Sequence, residues 1–310
     1  MKKTFIWGVS AFIIGLLLVA FGVGNNGFKA VYWQNGLKVD ANIHQSKQIK
    51  GVQEIELKTS REVLIRRGTD AKVSVSSTKS SKVNVNFEDH KLTIDSSYYP
   101  SFIMFDDDFS QPQVEITIPE NVHLKTVTTD GDADLTLEDV DVETLDAENN
   151  YQSGDLTLSH VNLKNALNLS RKTYSDITLS DVRAPGLAVE TSGDLTISHS
   201  RFEDQDSTIL NRDNDVDLSF NKWKSLNATV DNGDLNFRDQ AIKGEFIAKV
   251  ANGDIEAQID QKSKNAIIAT VDSGDHTIYG VDRETYGNRN QKNAVLYRLT
   301  ANNGDVEVTY

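Results

Sequence analysis

Tyr151-Gln-Ser-Gly-Asp-Leu-Thr-Leu-Ser-His160 is echoed by Glu190-Thr-Ser-Gly-Asp-Leu-Thr-Ile-Ser-His199 and by Val230-Asp-Asn-Gly-Asp-Leu-Asn-Phe237. Further copies begin at Val250, Val271 and Ala301, with degenerate ones at Tyr174-Ser-Asp-Ile-Thr-Leu179, Asp213-Asn-Asp-Val-Asp-Leu218 and Asp132-Ala-Asp-Leu-Thr-Leu137. Aligned, they put an aspartate at 134, 155, 176, 194, 215, 234, 254, 275 and 305, in steps of 21, 21, 18, 21, 19, 20, 21 and 30. A fixed period of this length marks a repeat architecture.

Around each turn the apolar residues alternate, as in Leu226-x-Ala228-x-Val230 before it and Leu235-x-Phe237 after it. That is the periodicity of strands. The glycine suits the positive φ of a tight turn, and the aspartate can bond its own backbone there. One copy cannot bury its apolar side, so the copies must stack with parallel strands about 4.8 Å apart. The expected fold is all-β: a single-stranded parallel β-helix, or solenoid, of roughly 21-residue Gly-Asp repeats, for which the crossover rule favours right-handed winding without fixing it.

Residues 126–310 then form the regular array, and 51–125, where Ile55-Leu57, Val63-Ile65, Val73-Val75, Val83-Val85, Leu92-Ile94 and Val114-Ile118 also alternate, an irregular β cap. Residues 25–50 read as a linker. The polar insert 282–293 inside the step of 30 is expected to shield the C-terminal edge near Val306 to Tyr310.

Phe5 to Val23 carries no charge and follows Lys2 and Lys3. As a helix it spans about 28 Å, the thickness of a hydrocarbon core. Residues 1–24 are therefore expected to form an N-terminal transmembrane helix with Lys2 and Lys3 cytoplasmic and the rest of the chain extracellular. A cleaved signal peptide is the competing reading, since Ala20-Phe21-Gly22 is a small-x-small site, but the run exceeds the usual h-region. Gly8, Gly15 and Gly22 would smooth one helix face for a second helix.

The formal charge of −14 excludes a nucleic-acid partner, which selects clustered Lys and Arg. Without cysteine there is neither a disulfide framework nor a thiolate metal site. No nucleophile elbow, paired metal-binding histidine motif or phosphate loop is present, so the chain reads as non-catalytic, with no catalytic residues and no cofactor.

Three sets of residues are candidates for chemistry. Asp155, Asp176, Asp194, Asp215, Asp234, Asp254 and Asp275 would form a ladder in which neighbours about 5 Å apart repel by about 0.8 kcal/mol. Bonds within each turn and hydration offset this, or Ca²⁺ bridges successive carboxylates. Five residues on from the first four aligned aspartates lie Asp139, His160, Asp181 and His199, a column that is pH-sensitive if imidazole pairs with carboxylate, and otherwise a row of solvated turn residues. The segment 98–109 concentrates Tyr98, Tyr99, Phe102, Phe105 and Phe109 beside Asp106 to Asp108, either as a binding loop or as a plug that buries its own rings.

The serial Ser/Asn-Gly-Asp-hydrophobic turns, the first strand Ile55-Glu-Leu57, the Ile116-Thr-Ile-Pro-Glu120 step and the single N-terminal span resemble the bacterial putative-adhesin β-strand repeat family, including LiaG-like envelope-stress proteins. The resemblance covers roughly residues 50–310. It implies an exported, membrane-linked protein connected with cell-envelope stress or adhesion, and the expectation built on it is a surface module that binds or senses an envelope protein, wall polymer or membrane-active peptide. A structural spacer and a carbohydrate-active β-helix enzyme, either lyase or hydrolase, are the alternatives.

Overall fold

A computed structural model describes residues 7–8, 12–16, 31–99, 101–103 (backbone only), 113–147, 154–170, 175–260, 264–288, 290–291 and 294–310. The repeats do stack. In each regular coil one strand precedes the Gly-Asp corner, one follows it, and a two-residue strand closes the third side. Leu226–Asn232, Leu235–Arg238 and Ala241–Ile242 make one such coil. The corresponding strands of neighbouring coils pair in parallel, which builds a 14-stranded sheet, an eight-stranded sheet and a third face of six and three strands. Bridges from Asn162 to Arg183 and from Arg183 to Arg201 join the two parts of that third face.

Alternation fixes which side chains enter the coil. The column Leu135, Leu156, Ile177, Leu195, Val216, Leu235, Ile255 and Val306 runs down the interior of the long sheet, each residue no more than 1% exposed. Full burial of each such side chain is worth about 1.5–3 kcal/mol, and no single copy could achieve it alone. Toward the C-terminal end aromatic rings replace branched chains. Phe202 stacks on Trp223 at 4.8 Å, and Phe237, Phe246 and Tyr297 form a second cluster. Buried polar side chains bond the backbone at some corners. Asn221 accepts the Ser200 N–H at 2.9 Å and donates to the Ile197 carbonyl at 2.8 Å.

The ends depart from simple succession. The last coil, Val295–Asn303 and Val306–Thr309, lies between the coil 245–258 and the coil 265–278. Residues 306–309 are therefore not an edge, and the expectation that the insert shields them is corrected. The insert instead closes Asn265–Ser273 and His276–Ile278, through antiparallel pairing of Thr285–Tyr286 with the former and Val281–Asp282 with the latter. The C-terminal strand gains hydrogen-bonded neighbours on both sides, and the outermost layer ends in antiparallel strands of two residues each, which are poor templates for further pairing.

The N-terminal end is built the same way. The coil Glu54–Lys58 and Val63–Arg67 sits between Leu124–Thr129 and Leu135–Glu138 on one side and Lys91–Tyr98 and Val114–Ile118 on the other. Ser81–Glu88 and Lys72–Thr78 close that outer layer antiparallel.

Residues 25–50 are not a linker throughout. Asn42–Gln48 extends the long sheet antiparallel to Lys72–Thr78, and Val31–Trp33, Leu37–Val39 and Ser101–Ile103 form a separate three-stranded sheet. The polar sequence of Asn42–Gln48 conceals a strand because it is an outer edge with only one buried neighbour. Asp40 ties this region down. It is buried and accepts bonds from the Ser80 hydroxyl, the Ser80 N–H and the Ala41 N–H. Burial alone would raise its carboxyl pKa, but the bonds from Ser80, Thr78 and Ala41 outweigh it and hold the group below the usual range.

Residues 7–8 and 12–16 are helical. Among the described residues no helix is long and apolar enough to cross a membrane, and the rest of the 5–23 run lies outside them.

Candidate functional site

The Gly-Asp corners superpose down the rod, and their carboxylates do more than bond their own turns. Oδ1 of Asp134 accepts the Asp155 N–H at 2.9 Å, and the pattern repeats from Asp155 to Asp176, Asp176 to Asp194, Asp215 to Asp234 and Asp234 to Asp254. It continues from Asp254 to Asp305 and from Asp305 to Asp275, each at 2.7 Å. Each bond is charge-assisted, so the ladder offsets its own repulsion by taking a backbone donor from the next coil. Among the described residues no group of three or more acidic, His or Cys side chains is arranged to hold a metal ion.

Glycine is required at these corners by close approach rather than by turn conformation alone. A Cβ on Gly193 would lie 1.1 Å from the Ser175 carbonyl oxygen, although Gly193 has no positive φ.

Asp139, His160, Asp181 and His199 do form a column, which Phe220 and Asp239 continue. All six have φ between 52° and 56°, the left-handed region in which Asp and His are enriched. Backbone conformation thus accounts for the Asp and His residues of the column, while Phe220 adopts the same φ without that preference. His160 lies 3.7 Å from both Asp139 and Asp181 and forms ion pairs with them only when protonated. His199 instead stacks on Phe220 at 5.1 Å.

Of the aromatic segment, Tyr99 packs against Tyr32 with ring centroids 6.1 Å apart, while Tyr98 is exposed. Phe102 is described only through its backbone in Ser101–Ile103, and Phe105 and Phe109 lie outside the described residues.

One concavity was not foreseen from the sequence. It lies on the outer face of the long sheet, has a volume of about 530 Å³, and spans five coils. One column of its lining is Thr196, Asp217, Asn236, Glu256 and Glu307, adjacent in register. A parallel column holds Ser219, Arg238, Gln258 and Thr309. The guanidinium of Arg238 lies 5.3 Å from the Phe220 ring centroid. No lysine or arginine among the described residues forms an ion pair with Asp217, Glu256 or Glu307. The groove therefore presents three carboxylates and one guanidinium, that of Arg238, among amides and hydroxyls. The sequence signal was available: at the second position after the repeat aspartate, Thr136, Thr157, Thr178 and Thr196 give way to Asp217, Asn236, Glu256 and Glu307, with Thr277 the exception.

These features define a parallel β-solenoid with both ends closed by antiparallel strands. The chain belongs to the Toastrack DUF4097 family, whose sequence profile matches residues 52–309. No curated protein matches it. Among solved structures it is similar to a putative adhesin from Parabacteroides merdae, with 11% identity, 87% of this chain and 96% of that chain covered, and a TM-score of 0.43. A putative adhesin from Bacteroides fragilis covers 86% of this chain and 97% of its own at 11% identity and a TM-score of 0.39. A putative cell adhesion protein from Clostridium sporogenes covers 87% and 99% at 12% identity and a TM-score of 0.20.

Proposed function

We propose that the chain is a non-catalytic, adhesin-like surface module, anchored by residues 1–24 with its solenoid outside the cell, that binds an extended cationic segment such as a membrane-active peptide along the long sheet. The observation that carries this reading is the column Asp217, Glu256 and Glu307, whose carboxylates form no ion pair among the described residues and outnumber the single guanidinium of the groove, Arg238, which lies over Phe220. Carboxylates left in this state attract cations and repel the anionic polymers of an envelope, and the formal charge of −14 reinforces that preference at long range. The lining follows five successive coils on an outer sheet face, which suits a ligand lying across them.

The test is titration of the purified chain from residue 25 onward with a short oligolysine peptide and, separately, with a neutral glycan. Binding should favour the peptide, weaken with salt, and fall at least about tenfold when Asp217→Asn, Glu256→Gln and Glu307→Gln are combined, a loss of about 1.4 kcal/mol. Binding that survives the triple change but disappears when residues 98–109 are deleted assigns recognition to the aromatic segment instead. No binding in any arm leaves the structural spacer. Turnover of the glycan, abolished by one carboxylate change, identifies a carbohydrate-active enzyme.

A further inference from the structure

The three-stranded N-terminal sheet places its side chains on two faces. Cross-strand partners Val31 with Val39 and Trp33 with Leu37 share one face, while Tyr32 and Lys38 share the other. Tyr32 is 3% exposed and packs on Tyr99, so its face is the inner one. On the outer face Trp33 is 51%, Leu37 69% and Val39 60% exposed. Exposed large apolar side chains gathered on one face of a small sheet mark an interaction surface.

The position of this sheet along the chain names the partner. Val23, the last residue of the apolar run 5–23, and Val31, the first of the sheet, are separated by eight residue steps. Such a length spans at most about 28 Å when fully extended. A chain anchored through 5–23 therefore keeps Val31 within that reach of the bilayer, close enough for Trp33 and Leu37 to meet it, and tryptophan is among the side chains enriched at the membrane–water boundary.

We infer that the outer face of this sheet, through Trp33, Leu37 and Val39, seats on the lipid surface and fixes the orientation of the solenoid relative to the membrane. The inference rests on the anchored reading above. It goes beyond that reading because an anchor alone leaves the domain free to tilt, whereas a second apolar contact defines which face of the rod meets the envelope.

Three tryptophans allow a direct test, since Trp223 is fully buried and gives a constant background. The full chain is reconstituted in phosphatidylcholine vesicles whose acyl chains are brominated near the headgroup. In Trp7→Phe protein the emission of Trp33 is expected to be largely quenched, and Leu37→Asp on the same background is expected to remove the quenching while Trp223 emission stays native. In Trp33→Phe protein, quenching of Trp7 reports the anchor separately. Quenching of Trp7 without Trp33 overturns the seating while sustaining the anchor. Quenching of neither removes the anchored reading and the seating with it. Shielding of Trp33 from both brominated lipid and aqueous iodide shows that a second copy covers the face, and overturns the proposal.

Discussion

Gly253→Ala tests the stacking most directly. Gly253 has φ +139°, and an added Cβ would meet the Gly233 carbonyl oxygen at 2.1 Å and Asp234 Oδ1 at 2.8 Å. Alanine strained into that backbone region costs about 1–3 kcal/mol. Moving the corner to relieve the overlap stretches the bonds from the Gly253 N–H to the Asn303 carbonyl and from the Asp254 N–H to Asp234 Oδ1, 3.0 and 2.8 Å long. Losing one of them adds about 1 kcal/mol, for a total of about 2–4 kcal/mol. Urea unfolding followed by the emission of buried Trp223 measures it. Gly280→Asn is the control, because Gly280 has φ +71° with no atom near its Cβ position and asparagine tolerates that conformation. A midpoint for Gly253→Ala within about 0.5 kcal/mol of wild type would refute the packing argument. The same series tests layer order. Gly253→Ala should couple to Gly304→Ala, whose Cβ would lie 2.0 Å from the Gly253 carbonyl oxygen, and add independently to Gly274→Ala two layers away.

Asn221→Ala should destabilise by about 2–4 kcal/mol, because it strands the buried Ser200 N–H and Ile197 carbonyl; a urea midpoint shift under about 1 kcal/mol would contradict this. His160→Val should cost about 1–2 kcal/mol at φ 53° and His160→Asn far less, so equal melting of the two variants would show that backbone conformation does not select this column. Alkali should unfold the protein through its tyrosines. Burial pushes the Tyr279 phenol up to about 12 and raises that of Tyr297 further. The folded chain thus keeps protons that the unfolded chain releases above its ordinary value near 10. The tyrosine contribution is complete below about pH 10 and is lost as pH climbs toward the folded value, so Tyr279→Phe should flatten the fall in Tm over that window. The melt should be the same in chelator and in millimolar calcium, since one oxygen of each of seven ladder carboxylates already accepts a backbone N–H; a rise in Tm with calcium would establish the bridged ladder.

The sequence by itself determined the coil. Period, Gly-Asp corners and two alternating apolar stretches follow from local rules, because a corner must turn and a strand must divide its faces within a few residues. Even the Asp and His column was visible, although its meaning was not: these residues answer to a left-handed backbone that appears only in the folded chain. The groove was within reach as well, as a change from threonine to acid along one aligned position. Tertiary structure alone decided the order of the layers. Residues 295–309 carry the same repeat as their predecessors, and nothing local to them says that they slot between 245–258 and 265–278. The ends of a solenoid are closed by whichever segments can satisfy the last open strand, a condition set by hydrogen bonding across the whole stack. The same condition turned the polar stretch 42–48 into a strand and left the apolar face of 31–39 turned outward.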